Sequence, residues 1–219
     1  MTTNELLKIG SNFLKQNNIK SYMIDSELIL SSLSGQNREN FLVKSELKLS
    51  KKQIKSFNDL IYRRALSKEP LAYLLSKKEF WSIELGINKD ALIPRPETEI
   101  LVDKLVKYYN DRSPFILDIG TGSGCIIISL LHEFKKSRGI AIDISNKALK
   151  IAKKNSKLND TFDRIKFVNS SISNFNSFKF DLIVSNPPYI ASHQLKNLDE
   201  DVKNFEPKIA LDGGNDGLD

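Results

Sequence analysis

The sequence has few of the residues that build disulfides and metal sites. Among its 219 residues there is one cysteine, Cys125, and there are two histidines, His132 and His193. A single cysteine excludes an internal disulfide and a metal site made only of cysteines, and the two histidines lack metal-ligand spacing. We therefore predict that the protein binds no metal, and we interpret Cys125 as a small, buried apolar residue.

Long apolar runs are also missing. No stretch approaches the roughly 20 apolar residues of a membrane-spanning helix. The start, MTTNELLKIG, lacks the apolar segment of a secretory signal peptide. These features predict a cytoplasmic protein without a membrane partner. The hydrophobic content of 40% is typical of a globular chain rather than a disordered one.

The net charge of +6 is unevenly distributed along the chain. Residues 1–78 contain 14 Lys and Arg against 7 Asp and Glu, a net charge of +7. Residues 79–219 contain 19 against 20, a net charge of −1. The basic excess fits either a solvated, lysine-rich helical surface or a docking face for an acidic protein or nucleic acid.

Residues 1–75 have helical periodicity. Apolar residues recur at intervals of three and four, at Leu6, Leu7, Phe13, Leu14, Ile24, Leu28 and Leu33. Thr2 with Glu5, and Ser50 with Gln53, have the spacing of a capping box at a helix start. We predict a small all-α domain over residues 1–75, without a catalytic constellation and suited to substrate docking.

The pattern changes after this helical part. EFWSIELGINKDAL, residues 79–92, nearly alternates between apolar and polar, which predicts a β-hairpin linker over residues 76–95. From residue 96 to residue 219, helix-type segments such as PETEILVDKLVKYY and NKALKIAKKNSKL alternate with strand-type segments. This predicts an α/β domain with a Rossmann-like parallel sheet and helices on both faces. Ligands of such sheets bind at the carboxyl ends of the strands.

A glycine-rich loop follows the first predicted strand of the α/β domain. In LDIGTGSGC, residues 117–125, Gly120, Gly122 and Gly124 alternate where a strand leads into a helix. Glycines there let the backbone approach a ligand closely and leave amide groups at a helix N-terminus, which favour a carboxylate or a phosphate. Such a loop by itself is a weak signal.

Asp143 strengthens this signal. It ends the next strand, GIAID, where a carboxylate can accept both ribose hydroxyls of an adenosine. The glycine loop together with Asp143 fits the binding of a dinucleotide or of S-adenosylmethionine. The departure of GTGSG from the dinucleotide motif GxGxxG favours S-adenosylmethionine. The alternative is that Asp143 caps the helix starting near Ser145. Asp118, before the loop, fits either a contact to the ammonium group of the donor or a structural role.

The motif NPPY, residues 186–189, follows the apolar run FDLIV. Prolines cannot continue a sheet ladder because they lack an amide donor. If the Asn186 side-chain oxygen and the Pro187 carbonyl each accept one N–H, they orient a planar amino group and stabilise its developing positive charge. Pro187 and Pro188 would fix the direction of that carbonyl, and Tyr189 could stack on the planar group.

The NPPY motif alone leaves the substrate open. Adenine N6, guanine N2 and a carboxamide nitrogen all present a planar amino group. The non-functional alternative is a proline turn that only ends a strand.

The wider sequence contains five distinctive segments: EPLAYLLSKKEFWSIELGINKDALIPRPETEILVDKL (residues 69–105), DIGTGSGC, AIDIS, NPPYI and FEPKIALDGGNDGL. With them the sequence resembles the release-factor glutamine N5-methyltransferase family, a group of class I S-adenosylmethionine-dependent enzymes, and the resemblance covers essentially the whole chain. It implies methylation of the glutamine amide nitrogen in the Gly-Gly-Gln loop of bacterial peptide chain release factors. These factors are the expected partners, and no nucleic-acid substrate is expected.

The resemblance also implies site residues. The donor loop corresponds to Gly120, Thr121, Gly122, Ser123 and Gly124. Asp143 corresponds to the ribose-binding acid, and the glutamine pocket to Asn186, Pro187, Pro188 and Tyr189, with Asn186 also near the donor methyl group. Residues 95–98 fall on a segment expected to border the site; their alternative is a helix start with Pro96 near its first position.

The chain departs from the family pattern in two places. Ser171 and Ile172 stand where many members have an acid and an aromatic near the adenine, so Ile172 is expected to form an apolar floor there. The chain ends in GGNDGLD, where the family continues into further strands, so we expect a C-terminally truncated domain with four parallel strands.

Two alternative functions stay open. One is a nucleic-acid amino-methyltransferase that uses the same NPPY motif; it should show a target-recognition insertion or basic residues around the catalytic face. The other is a non-catalytic remnant, in which truncation has removed the activity and the basic helical domain still binds a partner.

Overall fold

The computed structural model describes residues 2–38, 48–110, 112–176 and 179–218. The chain divides into two compact units, Met1–Leu75 and Ser76–Asp219. Within the described ranges, no helix is long and apolar enough to cross a membrane.

The first unit is helical. Its described helices are α1 (Thr3–Gln16), α2 (Tyr22–Ser34), α3 (Lys51–Leu66) and α4 (Leu71–Leu75). Both predicted capping boxes are confirmed: the Glu5 N–H donates to Thr2 Oγ1, and the Gln53 N–H donates to Ser50 Oγ, each at 3.2 Å. The reciprocal hydrogen bond of each box is also present. The Glu5 side chain accepts the Thr2 N–H, and the Gln53 side chain accepts the Ser50 N–H.

The core of the first unit contains Leu6, Leu14, Ile19, Ile29, Leu30, Phe57, Ile61 and Ala65. Leu7, Phe13 and Leu33 pack against it and are partly buried. Ile24 departs from the predicted periodicity because it is exposed. The apolar spacing of three and four residues therefore predicts the buried side of α1 more accurately than it predicts the buried side of α2.

The second unit begins with a hairpin of two strands, β1 (Lys77–Phe80) and β2 (Ile83–Gly86). The connecting residues Trp81 and Ser82 have φ of 51° and 58°. Two central residues with positive φ are typical of the turn whose twist matches that of the flanking strands.

The α/β part follows, with α5 (Pro96–Tyr109), β3 (Phe115–Ile119), α6 (Cys125–Glu133), β4 (Arg138–Asp143), α7 (Asn146–Leu158), β5 (Ile165–Asn169) and β6 (Leu182–Ser185). The strands form a parallel sheet in the order β5-β4-β3-β6. After β3 the chain moves to one side through β4 and β5, and β6 then returns to the other side of β3. This change of direction places a crevice at the carboxyl end of β3.

Helices cover the sheet differently from the prediction of two helical layers. Helix α6 packs against strands β3 and β4 and against helices α5 and α7. Helices α5, α6 and α7 therefore form one layer on one face of the sheet. The opposite face carries Leu117, Ile140 and Ile142, which pack with Phe175 and Phe180. Among the described residues, that face is covered by aromatic side chains of the segment before β6 rather than by a helix.

Short helical elements follow β6, and the periodicity of the sequence did not indicate them. They are the 3-10 helix Ser192–Asn197, helix α8 (Glu200–Phe205) and the 3-10 helix Lys208–Ala210. Because their apolar residues contact the site rather than one helical face, the spacing of three and four is not visible in the sequence.

Candidate functional site

The glycine loop lies at the carboxyl ends of β3 and β4. The backbone N–H groups of Gly120 and Thr121 both donate to the Ile142 carbonyl, at 2.9 and 3.0 Å. Gly120 and Gly122 have φ of 69° and 57°, values that favour glycine. A Cβ on Gly120 would meet no atom within 4 Å, and one on Gly122 would meet only a loop carbonyl at 3.9 Å. The loop backbone therefore faces open space.

Gly124 differs from the other two glycines. It precedes α6 with φ of 83°. A Cβ there would lie 2.8 Å from Ile128 Cδ1 and 3.2 Å from Ala152 Cβ. Gly124 therefore allows α6 and α7 to approach each other, and it does not line the cavity over the loop.

Asp143 holds the loop from the end of β4. One carboxylate oxygen accepts the Gly122 N–H at 2.8 Å, and the other accepts the Ser145 N–H at 2.8 Å. The cap of α7 is Ser145, whose hydroxyl oxygen accepts the Ala148 N–H at 3.2 Å. The interpretation of Asp143 as the helix cap is therefore wrong. Each of its oxygens keeps a second lone pair for a ligand hydroxyl.

Two titratable groups lie beside the loop, the buried Asp118 and Cys125, which is only partly buried rather than buried as predicted. Asp118 is 1% exposed; Thr121 Oγ1 donates to its Oδ2 at 2.7 Å, and its Oδ1 has no hydrogen-bond partner among the described residues. Burial raises the pKa of Asp118 to about 7; the hydrogen bond from Thr121 and the backbone of Ile127 oppose the rise, and the charge of Asp143 adds to it. Burial, helped by Asp118, raises the pKa of the Cys125 thiol to about 12, so the thiol is inert at neutral pH.

We expect an Asp118→Asn variant to change how stability depends on pH. The folded pKa of about 7 lies above the ordinary value of 3.8. The stability contributed by the neutral carboxyl is therefore complete below pH 3.8 and is lost as the pH rises through 7. Since the variant cannot ionise, its free energy of unfolding relative to the wild type should rise by roughly 3 kcal/mol between about pH 5 and 8. Urea titrations at several pH values measure this difference, and a flat difference would contradict the assignment.

A cavity of about 430 Å³ opens over the glycine loop. The predicted site residues that line it are Gly120, Thr121, Gly122, Ser123, Asp143, Ile172, Asn186, Pro187 and Pro188. Ser171 and Cys125 also line it. The two predicted site residues outside this lining are Gly124 and Tyr189.

A second cavity, also of about 430 Å³, adjoins the first. The residues that line both are Leu92, Arg95, Thr98, Ser185, Asn186, Pro187 and Ala210. Tyr189 lines only the second cavity and is 71% exposed. Asn186 and Pro187 therefore lie where the two cavities meet.

The NPPY segment is held in place from both ends. The Ser185 hydroxyl donates to the last carbonyl of β3 at 2.9 Å. Beyond the motif, the Ile190 N–H donates to the Leu211 carbonyl at 3.1 Å, and the Gly213 N–H donates to the Ile190 carbonyl at 2.9 Å. A Cβ on Gly213 would lie 2.8 Å from the Pro188 carbonyl oxygen. The late glycine-rich segment thus packs directly against the motif.

Sequence reasoning missed two walls of the first cavity. They consist of Asp90, Ala91, Leu92 and Pro94 before α5, and of Pro207, Ile209, Ala210 and Asp212 after α8. Neither wall has a periodicity or a charge pattern that indicates a site. The only signal was that both fall within or beside the segments LIPRPETE and FEPKIALDGG, which carried the family resemblance.

Comparison with known proteins places the chain in a family. It matches the models for the methyltransferase small domain over residues 96–203 and the PrmC N-terminal domain over residues 5–75. It is 39% identical over 207 residues to the release factor glutamine methyltransferase of Caulobacter vibrioides, covering 94% of this chain and 71% of the relative. The chain belongs to the release factor glutamine methyltransferase family. As a member, it is an S-adenosylmethionine-dependent methyltransferase, as predicted.

Further relatives have the same family name. The release factor glutamine methyltransferase of Buchnera aphidicola subsp. Acyrthosiphon pisum is 40% identical over 211 residues, covering 96% of this chain and 75% of the relative. Among solved structures, the hMettl16 catalytic domain in complex with MAT2A 3'UTR hairpin 6 matches with a TM-score of 0.52 and 17% identity. That match covers 84% of this chain and 67% of the other, and it shows the fold alone. The predicted class I methyltransferase fold is confirmed.

S-adenosylmethionine is the cofactor of this methyltransferase family member, and the residues of the first cavity fit it. The open backbone at Gly120 and Gly122 allows close approach of a ligand. The Asp143 carboxylate stands at the end of β4 with acceptor capacity for ribose hydroxyls.

Proposed function

We propose that the protein methylates, in the cytoplasm, the side-chain amide nitrogen of the glutamine in the Gly-Gly-Gln loop of bacterial peptide chain release factors. The observation that carries this proposal is the position of Asn186 and Pro187 in the wall shared by the two cavities. A donor in the first cavity and an acceptor in the second would meet only at this wall. The names of the relatives from Caulobacter and Buchnera support the release factor as the acceptor.

The proposed chemistry requires activation of a weak nucleophile. When bound, S-adenosylmethionine supplies an electrophilic methyl group on a sulfonium sulfur. The Asn186 side-chain oxygen and the Pro187 carbonyl would each accept one N–H of the glutamine amide, which turns the nitrogen lone pair toward the methyl group. Methyl transfer would form a nitrogen–carbon bond as the sulfur–carbon bond of the donor breaks, and the acidified nitrogen would lose its proton to water. The two acceptors stabilise the positive charge that develops on nitrogen.

The geometry around these two acceptors suits this role. Neither the Asn186 side chain nor the Pro187 carbonyl has a hydrogen-bond partner among the described residues. Proline rings at positions 187 and 188 restrict the backbone, so the carbonyl direction costs little entropy to hold. Tyr189, exposed in the second cavity, is available to cover the planar amide.

The remaining site residues either bind the methyl donor or support the glycine loop. We assign Gly120, Thr121, Gly122, Ser123, Asp143 and Ile172 to donor binding because all line the first cavity. Gly124 supports the loop through the packing of α6 on α7. We assign release-factor docking to the helical unit of residues 1–75, because residues 1–78 carry a net charge of +7 and residues 79–219 a net charge of −1.

Mass spectrometry of a release factor incubated with the enzyme and S-adenosylmethionine tests this proposal. We expect one added methyl group on the Gly-Gly-Gln glutamine. A release factor with that glutamine changed to glutamate is the matched control, and it should stay unmodified because a carboxylate has no N–H to offer the two acceptors.

The nucleic-acid alternative predicts a different product. Methylation of an oligonucleotide, with none on the release factor, would overturn the proposal. We expect no such product, because residues 79–219 lack a basic excess for binding phosphates. A chain that binds S-adenosylmethionine but modifies neither substrate would instead support the non-catalytic alternative.

A further inference from the structure

An ion pair between the partly exposed Arg95 and the buried Glu206 joins the two walls that sequence reasoning missed. The Glu206 side chain, 1% exposed, accepts a hydrogen bond from Arg95 Nη2 at 2.6 Å and another from the Ile93 N–H at 3.2 Å. Arg95 directly precedes α5, and Glu206 directly follows α8. The pair therefore ties the loop before α5 to the segment after α8.

Arg95 occupies a special position in the site. It lines both cavities, in the same shared wall as Asn186 and Pro187. Among the described residues that line either cavity, Arg95 is the only one with a cationic side chain, whereas the first cavity also contains Asp90, Asp143 and Asp212. Its guanidinium has five N–H donors, and the hydrogen bond to Glu206 uses one of them.

A cation in this wall creates an electrostatic problem. Methyl transfer requires the reacting atoms to approach within about 3 to 3.5 Å, so the sulfonium charge of the donor must come close to the wall shared with the acceptor. A bare guanidinium there would repel that charge, and the repulsion is strong where burial lowers the effective dielectric constant. The product, S-adenosylhomocysteine, has a neutral sulfur and would not be repelled in this way.

We infer that Glu206 is a positioning and charge-compensating residue: it holds the Arg95 guanidinium in the wall shared by the two cavities and cancels its charge toward the cationic methyl donor. This inference rests on the proposed function only in placing methyl transfer at Asn186 and Pro187. A buried carboxylate bound to arginine costs desolvation and is a weak source of stability. A role in the site explains why such a pair lies here instead of apolar side chains.

The test is the ratio of two dissociation constants, measured by calorimetry at low ionic strength. In Glu206→Gln, binding of S-adenosylmethionine should weaken by about tenfold relative to binding of S-adenosylhomocysteine, because only the first ligand has the sulfonium charge. S-adenosylhomocysteine also reports that the site is still folded. In the double variant Arg95→Met with Glu206→Gln, both charges are absent, and the ratio should return to that of the wild type.

Asp103→Asn is the matched control. It removes one negative charge from α5, from an exposed pair with Lys107, at a position that lines neither cavity. The ratio should stay at the wild-type value. Equal weakening of both ligands in Glu206→Gln would overturn the inference, and so would a changed ratio that persists in the double variant. If the wild type bound neither ligand, the proposed function itself would fail.

Discussion

An Asn186→Ala variant should lose methylation rate by a factor of about 10² to 10³, the scale for removal of one preorganised polar group at a developing charge. Asn186 lies in the wall shared by the two cavities, and its side chain is one of the two proposed acceptors for the glutamine amide. Donor affinity should change much less, because the glycine loop and Asp143 line a separate part of the first cavity. Single-turnover kinetics on a release factor measures the rate, and calorimetry measures donor affinity.

Asn174 offers the matched control for this experiment. It is an exposed asparagine in the 3-10 helix Ile172–Asn174, and it lines neither cavity. Asn174→Ala should keep both the rate and the donor affinity of the wild type. If Asn186→Ala lowered donor affinity as much as the rate, Asn186 would belong to donor binding rather than to the acceptor.

An Asp143→Ala variant should bind S-adenosylmethionine about tenfold to a hundredfold more weakly. Hydrogen bonds to a charged group contribute roughly 1.5–3 kcal/mol each, and about 1.4 kcal/mol corresponds to a factor of ten. The loss has two sources, because the carboxylate would accept ribose hydroxyls and also holds the Gly122 N–H of the loop at 2.8 Å. Calorimetry measures the affinity, and thermal unfolding confirms that the variant is folded.

Asp163→Ala is the control for the change in charge. Asp163 is an exposed acid in the 3-10 helix Phe162–Arg164 and lines neither cavity. Donor affinity in this variant should equal that of the wild type. Unchanged affinity in Asp143→Ala would remove Asp143 from the donor site and leave it with the structural role of tying the glycine loop to the start of α7.

Local sequence determined the elements of the α/β unit. PETEILVDKLVKYY and NKALKIAKKNSKL predict helices, and these segments form α5 and α7 with the same bounds. Pro96 suits the first position of α5 because it lacks an N–H that would have no partner there. Four strand segments and the glycine loop were predicted in the same way. These features depend on neighbours a few residues away, so the sequence alone determines them.

The tertiary structure decided how these elements form a site. The strand order β5-β4-β3-β6 brings the glycine loop, Asp143 and NPPY to one edge of the sheet. Packing distinguishes Gly124, which allows two helices to pack closely, from Gly120, which faces open space. Burial raises the pKa of Asp118 to about 7. Arg95 and Glu206 form their ion pair across 111 positions of the chain. No local pattern specifies such a contact, because it depends on which surfaces the folded backbone brings within a few ångströms of each other.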